Sequence, residues 1–303
     1  MTPAALATQS TRETRIGYIC AFSVLSVWTG FLLSGRLAAT QPFTPWDVAA
    51  LRYLGGFVGA LALLAFLPRP RLAPPRLAGL LATAAFGFPL AAYHGFGFAP
   101  VAHAGVLNAG ALPFVSAALG AIFLGEGWTR RRLLSLAVVA AGVGLLAVDT
   151  FGAHPGAWRG HLLFLGGVTC WAVYMLLVRI WRITAIEATL GVALWAAPLY
   201  LPIWWLALPT NLAAVPWGAI LFQAVFQGIF AVLVAGFLFT RAVQAIGAPR
   251  TTAITALVPA LAALAAWPLL GEALGAAGLS GVVLVSVGML LGVLRVDPTP
   301  ARP

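Results

Sequence analysis

The sequence predicts an all-α integral membrane protein, with ten transmembrane helices forming two inverted five-helix repeats around a central cavity. Three observations carry that prediction. The chain is too apolar for water, its arginines alternate from loop to loop, and a set of residues recurs at one spacing.

Composition sets the solvent. Of 303 residues, 62% are hydrophobic and 8% are charged, and the mean hydropathy is +1.00. A soluble domain carries about 25% charged residues. Seventeen basic and seven acidic side chains cannot clothe a fold of this size in water, so lipid must solvate most of its outside. A span needs about 20 apolar residues, because the hydrocarbon core is ~30 Å thick and a helix rises ~1.5 Å per residue. Ten such runs follow one another: 16–35, 48–67, 77–98, 101–124, 133–151, 161–180, 188–208, 217–240, 251–270 and 274–294. Helices satisfy their own backbone in lipid, whereas a barrel would show short alternating strands.

The ends and the cysteines fit this plan. The first 15 residues are polar, and the run after them is too long for a cleaved leader, so it is expected to be a retained first span. Cys20 and Cys170 lie inside apolar runs, where packing explains them and a disulfide framework does not.

The arginines test the count. With ten spans, one side of the membrane receives Arg12, Arg15, Arg69, Arg71, Arg76, Arg130, Arg131 and Arg132. It also receives Arg179, Arg182, Arg241, Arg250, Arg295 and Arg302. The other side keeps Arg36, Arg52 and Arg159. Fourteen of the seventeen thus fall on one side. This places both termini in the cytoplasm of a multi-pass protein of the cell (inner) membrane. The net charge of +10 is therefore topology information rather than a nucleic-acid footprint, and no nucleic-acid partner is expected. Trp46, Trp128, Trp158, Trp181 and Trp217 fall at the ends of runs, as an interfacial aromatic belt does.

Internal similarity divides the chain. Leu124-Gly125-Glu126 recurs 146 positions later as Leu270-Gly271-Glu272. The same offset carries Pro113 to Pro259, Ala117 to Ala263 and Gly142 to Gly288. Trp28 and Arg36 are spaced like Trp171 and Arg179, and Gly87 and Gly95-Phe96 align with Gly228 and Gly236-Phe237. Each half has five spans, an odd number, so the second half must enter the membrane inverted. The expected layout is a cytoplasmic segment 1–15, a first repeat 16–151, a second repeat 152–295 and a cytoplasmic tail 296–303. Inverted repeats are the architecture of many secondary transporters, with the solute site between the halves near the midplane.

These residues resemble the drug/metabolite transporter superfamily, and its ten-span EamA-type exporters in particular. The resemblance is carried by Pro113 to Leu124-Gly125-Glu126 with Gly142. It is carried again by Ala248-Pro249 through Pro259 to Leu270-Gly271-Glu272, with Gly281 and Gly288. It implies a central cavity lined largely by the third, fourth, eighth and ninth spans. In length and aromatic content the chain is similar to the aromatic amino-acid exporters of that superfamily.

No enzyme motif accompanies this. There is no zinc-protease His pair, no nucleophile elbow and no phosphate loop. His94, His103, His154 and His161 lack metal-ligand spacing, and Asp47, Asp149 and Asp297 lie at run ends. No catalytic residue, metal or cofactor is expected. Glu126 and Glu272 are expected to cap the helices that follow them. Arg36 and Arg52 are expected near the outer ends of the first two spans, snorkelling or pairing with Asp47. The lack of a central carboxylate favours transport without ion coupling, although His94 has the chemistry to carry a proton.

Substrate-binding candidates are polar or aromatic residues on repeat-related faces. Gln223 and Gln227 are four apart on the eighth span, and their repeat positions on the third are Ala82 and Phe86. Tyr93 shares the face of Phe86, and His94 is turned ~100° from it. Asn108 lies on the fourth span, and Thr251, Thr252 and Thr255 on the ninth. Trp28 and Trp171 are matched mid-span tryptophans, with Tyr174 beside Trp171. Amides and hydroxyls also bridge helices, at about 0.6 kcal/mol each, which is the competing structural role. Pro89, Pro113, Pro198, Pro202 and Pro259 free carbonyls and shape the spans.

The function expected from sequence is export of small organic solutes by alternating access, with amino acids, including aromatic ones, or related metabolites as cargo. Broad efflux by proton exchange, a lipid-modifying membrane enzyme and a non-transporting scaffold are the alternatives. Pairing of His103 with another titratable group would favour the enzyme. The expected partners are the solute and the bilayer. A monomer suffices, and an oligomer is compatible.

Overall fold

The computed structural model describes residues 3–125, 127–153 and 155–293, with side chains from 12 to 292 except at 109, 126, 147, 149–154, 248 and 249. Glu126, His154, Asp297, Arg295, Arg302 and the side chain of Asp149 lie outside the described residues. Every regular element described is a helix. The chain opens with α1 (Pro3–Ala39) and α2 (Pro45–Leu63). The third run folds as α3 (Pro74–Leu80), a π-helical segment (Leu81–Gly87) and α4 (Phe88–Phe96). Then come α5 (Val101–Leu124), α6 (Arg130–Ala153), α7 (Trp158–Trp181) and α8 (Ala185–Ala207). The eighth run folds as α9 (Trp217–Gln223), a second π-helical segment (Ala224–Val234) and α10 (Ala235–Ile246). α11 (Ala248–Thr255), α12 (Val258–Leu270) and α13 (Ala276–Val293) complete the chain.

Among the described residues, eight helical segments are long and apolar enough to cross a membrane: Arg12–Ala39, Pro45–Leu63, Pro74–Phe96, Val101–Leu124, Trp158–Trp181, Ala185–Ala207, Trp217–Ile246 and Arg250–Leu270. They overlap eight of the ten predicted runs. The remaining two correspond to α6 and to α13, which is apolar but shorter. Large apolar side chains such as Phe66, Leu206 and Trp217 are exposed, as lipid-facing residues are.

Local chemistry sets the helix ends. Thr44 and Asp47 form a capping box at the start of α2, and Thr184 and Glu187 form another at the start of α8. The repeated Leu-Gly-Glu is a helix stop. Gly125 ends α5 at φ +66° and Gly271 ends α12 at φ +70°, a conformation that favours glycine. Pro89 stands just past the first π segment, where the missing N–H disturbs the regular ladder. Pro259 opens α12 after a break at Ala256-Leu257, while its counterpart Pro113 lies inside an unbroken α5.

The most extensive helix pairing joins α6 to α13. A Cβ on Gly142 would lie 2.7 Å from the Gly281 carbonyl oxygen, and one on Gly288 would lie 3.1 Å from that of Ser135. The Ser135 hydroxyl donates to the Gly288 carbonyl at 2.7 Å. Adding 146 turns 142 into 288 and 135 into 281. The contact 142–281 therefore becomes the contact 288–135, a reciprocity like that of a two-fold interface. α2 packs as closely on the second π segment, where a Cβ on Gly55 would collide with the Ala224 carbonyl oxygen.

Candidate functional site

Two ends of the bundle differ. At the end holding the α1 C-terminus, Arg36 reaches across to Glu272. Its Nε donates to Glu272 Oε1 at 2.6 Å, and its Nη1 donates to the Phe96 carbonyl. Glu272 Oε2 accepts from the Val101 amide at 2.8 Å. Glu272 therefore caps α5, not the helix that follows it, because the bend at Gly271 turns its carboxylate towards the orphan amides of α5. This also corrects the expected pairing of Arg36 with Asp47. The fully buried rings of Phe96 and Phe164 meet below, with centroids 5.4 Å apart.

Asp47 belongs to the same end and is fully buried. It accepts from the Thr44 amide, the Trp204 indole and the Asn211 amide, at 3.0, 3.1 and 3.0 Å. That set holds α2 against α8 and the loop after it. The carboxylate is thus occupied, and Arg52 does not pair with it.

Towards the other end lies a cavity of about 550 Å³, within the usual range of small-molecule sites, ~300–1,000 Å³. It reaches the arginine-rich end at Arg132 on α6 and Gly292 on α13. Its walls are mostly apolar: Trp28 and Phe31 on α1, Phe88 on α4, Trp171 and Met175 on α7, and Phe239 on α10. Trp28 stacks on Phe239 at 5.5 Å and Trp171 tilts over Phe88 at 5.3 Å. Asn108, Thr252 and Thr255 supply polar atoms. Neither amide atom of Asn108 has a partner among the described residues.

Arg52 is the one described charge in the deep part of this cavity. It sits seven residues beyond Pro45, about 10 Å along α2 at the usual rise. An arginine at such depth costs roughly 2.5–3.5 kcal/mol on insertion scales and so flags function. Its Nη1 donates to the Gln227 backbone carbonyl at 3.1 Å and to Gln227 Oε1 at 3.4 Å. The guanidinium lies over the Phe31 ring at 5.4 Å.

A fully bonded amide holds it there. Gln227 Oε1 also accepts from the Tyr93 hydroxyl at 2.9 Å, and Gln227 Nε2 donates to Ser34 Oγ at 2.8 Å. Gln223 Nε2 donates to the Ser34 carbonyl at 2.9 Å. This network ties α1, α2, α4 and the second π segment together.

The sequence candidates therefore separate into groups. Trp28, Asn108, Trp171, Thr252 and Thr255 line the large cavity. Trp171, Tyr174 and Arg52 line a smaller one of about 80 Å³ beside it. Tyr93, Gln223 and Gln227 lie behind the wall, buried in the network. Thr251 is buried and donates to the Gly247 carbonyl. Phe86 packs edge-on to Tyr53. His94 packs against the Trp46 ring at 4.4 Å, with Nδ1 2.8 Å from the Leu90 carbonyl. Sequence reasoning missed Arg52, Phe31, Phe88, Met175 and Phe239 as cavity residues. For Arg52 a signal existed, since the Thr44–Asp47 capping box already claims the acid expected to pair with it.

His103 and His161 meet outside the cavity lining, with Nδ1 and Nε2 3.1 Å apart. Among the described residues there is no cluster of three metal-ligating side chains.

Residues 158–294 match the EamA-like transporter family. The EamA match supports the drug/metabolite transporter superfamily and a membrane transporter of small solutes, and the family is one of transporters rather than enzymes. Eighteen solved chains match the structure significantly. One, described as "Crystal structure of protein", aligns over 92% of this chain and 97% of its own, with TM-score 0.64 and 22% identity. At that identity the likeness shows the fold alone. Among curated proteins there is no significant match.

Proposed function

We propose that this protein is a secondary transporter that exports small organic solutes, amino acids and related metabolites foremost, by alternating access. One observation carries the reading. A cavity of solute size reaches the arginine-rich end and stops short of the opposite end, where Arg36 and Glu272 join. A pocket open to one side and sealed to the other is one half of a transport cycle.

The reading takes the chain as ten spans in two inverted repeats, with α6 and α13 as the fifth and tenth. The reciprocal contacts 142–281 and 288–135 and the paired capping boxes support that division. It takes the arginine-rich end as cytoplasmic, so the cavity faces inward. No Asp, Glu or His lies among the described lining residues, which supports flux without proton coupling.

The test is flux into proteoliposomes holding the purified protein, across a panel of amino acids and organic acids, with and without a pH gradient. The expected outcome is saturable flux that persists without the gradient. Flux no faster than in empty vesicles would sink the transport reading, and flux that vanishes without the gradient would sink the uncoupled form.

The His103–His161 pair is what favours a second reading, a membrane enzyme acting on lipid. That reading requires lipid turnover by the purified protein that is lost in His161→Ala.

A further inference from the structure

Arg52 presents its charge to the cavity with no acid beside it among the described residues. Seven acidic residues occur in the chain, and four have described side chains. Glu13 pairs with Arg241, Glu272 pairs with Arg36, Glu187 fills its capping box, and Asp47 is fully engaged. None of the four meets the guanidinium. An arginine has five N–H donors and keeps its charge inside proteins. The hydrogen bonds of Arg52 to Gln227 leave from Nη1, and the residue borders both cavities.

The support behind it is already satisfied. Gln227, Tyr93 and Ser34 bond to one another, so the guanidinium is held in place by neutral partners that leave its charge uncancelled. Around it are aromatic and aliphatic walls, and Asn108 adds an amide with no partner. The described lining has no acid that would match an ammonium group.

We infer that the cavity binds organic monocarboxylates with an apolar, ring-sized body, the carboxylate on Arg52 and the body against Phe31, Phe88 and Trp171. The inference rests on the proposed function in taking this cavity as the solute site. It narrows the cargo, because an α-amino group adds nothing to binding here. Arg52 is the ligand-contacting residue, and Gln227 is a positioning residue that aims it.

The test measures binding by tryptophan fluorescence of the purified protein in detergent, with Trp28 and Trp171 in the wall as reporters. Four probes share one ring: 3-phenylpropionate, its neutral amide, 3-phenylpropylamine and phenylalanine. The expected order puts 3-phenylpropionate about 10-fold tighter than the amide, as a charge-assisted pair requires. Phenylalanine is expected to be no tighter than 3-phenylpropionate. Arg52→Gln should erase the carboxylate preference and leave the amide's affinity within about 2-fold, while Arg52→Lys should keep part of the preference. Gln227→Leu should weaken the carboxylate more than the amide.

Equal affinity of the wild type for carboxylate and amide overturns the inference, and needs no variant to fold. So does an unchanged preference in Arg52→Gln, or no response to any probe up to about 10 mM. Flux with an unaltered Arg52→Gln preference removes the carboxylate site and leaves transport standing. Carboxylate preference without flux does the reverse.

Discussion

Two of the close glycine contacts between helices obey different rules. Between α6 and α13 the contact is reciprocal: Gly142 meets Gly281, and Ser135 meets Gly288. Between α2 and the second π segment it is one-sided. Gly228 lies against Arg52, Gly55 and Gly56 on α2, yet its counterpart Gly87 lies against Cys170 on α7. The chemistry around each differs in the same way. The capping boxes are 140 apart (184 − 44 and 187 − 47), which maps Arg52 onto Val192, and the offset 141 maps Gln227 onto Phe86. A polar clamp in one place is thus an apolar pair in the other. The lesson is that the α6–α13 contact is reciprocal at one offset while the wall around Arg52 is not, and the proposed carboxylate site depends on that asymmetry.

The comparison breaks most easily at Gly55. Gly55→Ala should be the costliest single methyl, roughly 3 kcal/mol, because the clash is with backbone and cannot rotate away. Thermal unfolding followed by size exclusion should rank it lowest in Tm, and a Tm within a degree or so of wild type would show that the α2 contact is loose. Gln227→Leu comes next. It strips a buried network of its hub, at about 2–3 kcal/mol, whereas Phe86→Leu at the counterpart position should cost about half as much. Equal losses would deny the asymmetry.

Alanine at repeat-related glycines tests the reciprocal side. The repeat-related pair is Gly142 and Gly288, so Gly142→Ala and Gly288→Ala should each cost about 1–2 kcal/mol and agree within ~0.5 kcal/mol. A large gap between them would break the two-fold relation. The smallest effect is expected at the sealed end. Glu272→Gln removes a partly exposed ion pair, about 1 kcal/mol. Its clearer readout is access: a cysteine placed at the buried Ala99 should react faster with an impermeant maleimide in Glu272→Gln than in the parent. No change in labelling would mean that the pair is not what closes this end.

Much of the frame was legible in the chain. Apolar run length gave the helices, because lipid leaves a spanning backbone no other way to pair its polar groups. The repeated Leu-Gly-Glu marked two helix stops, because a glycine is needed where φ turns positive. The cavity was legible in part. Trp28, Asn108, Trp171, Thr252 and Thr255 do line it. Tyr93 and Gln227 share its neighbourhood, but behind the wall, since helical phase places a residue on a face without saying how deep that face is buried. The π segments were not legible, because hydropathy does not register a one-residue change in hydrogen-bond spacing.

What the sequence determined by itself is the solvent of the protein, the positions of its helices and the places where they stop, all consequences of local chemistry summed along the chain. What the tertiary structure alone decided is which charges meet. Glu272 joins Arg36 across 236 positions, and Gln227 reaches Arg52 across 175. Asp47 was spent on a helix cap and a tryptophan, which left Arg52 for the cavity. Those outcomes depend on distances between helices, and no period within one helix encodes them.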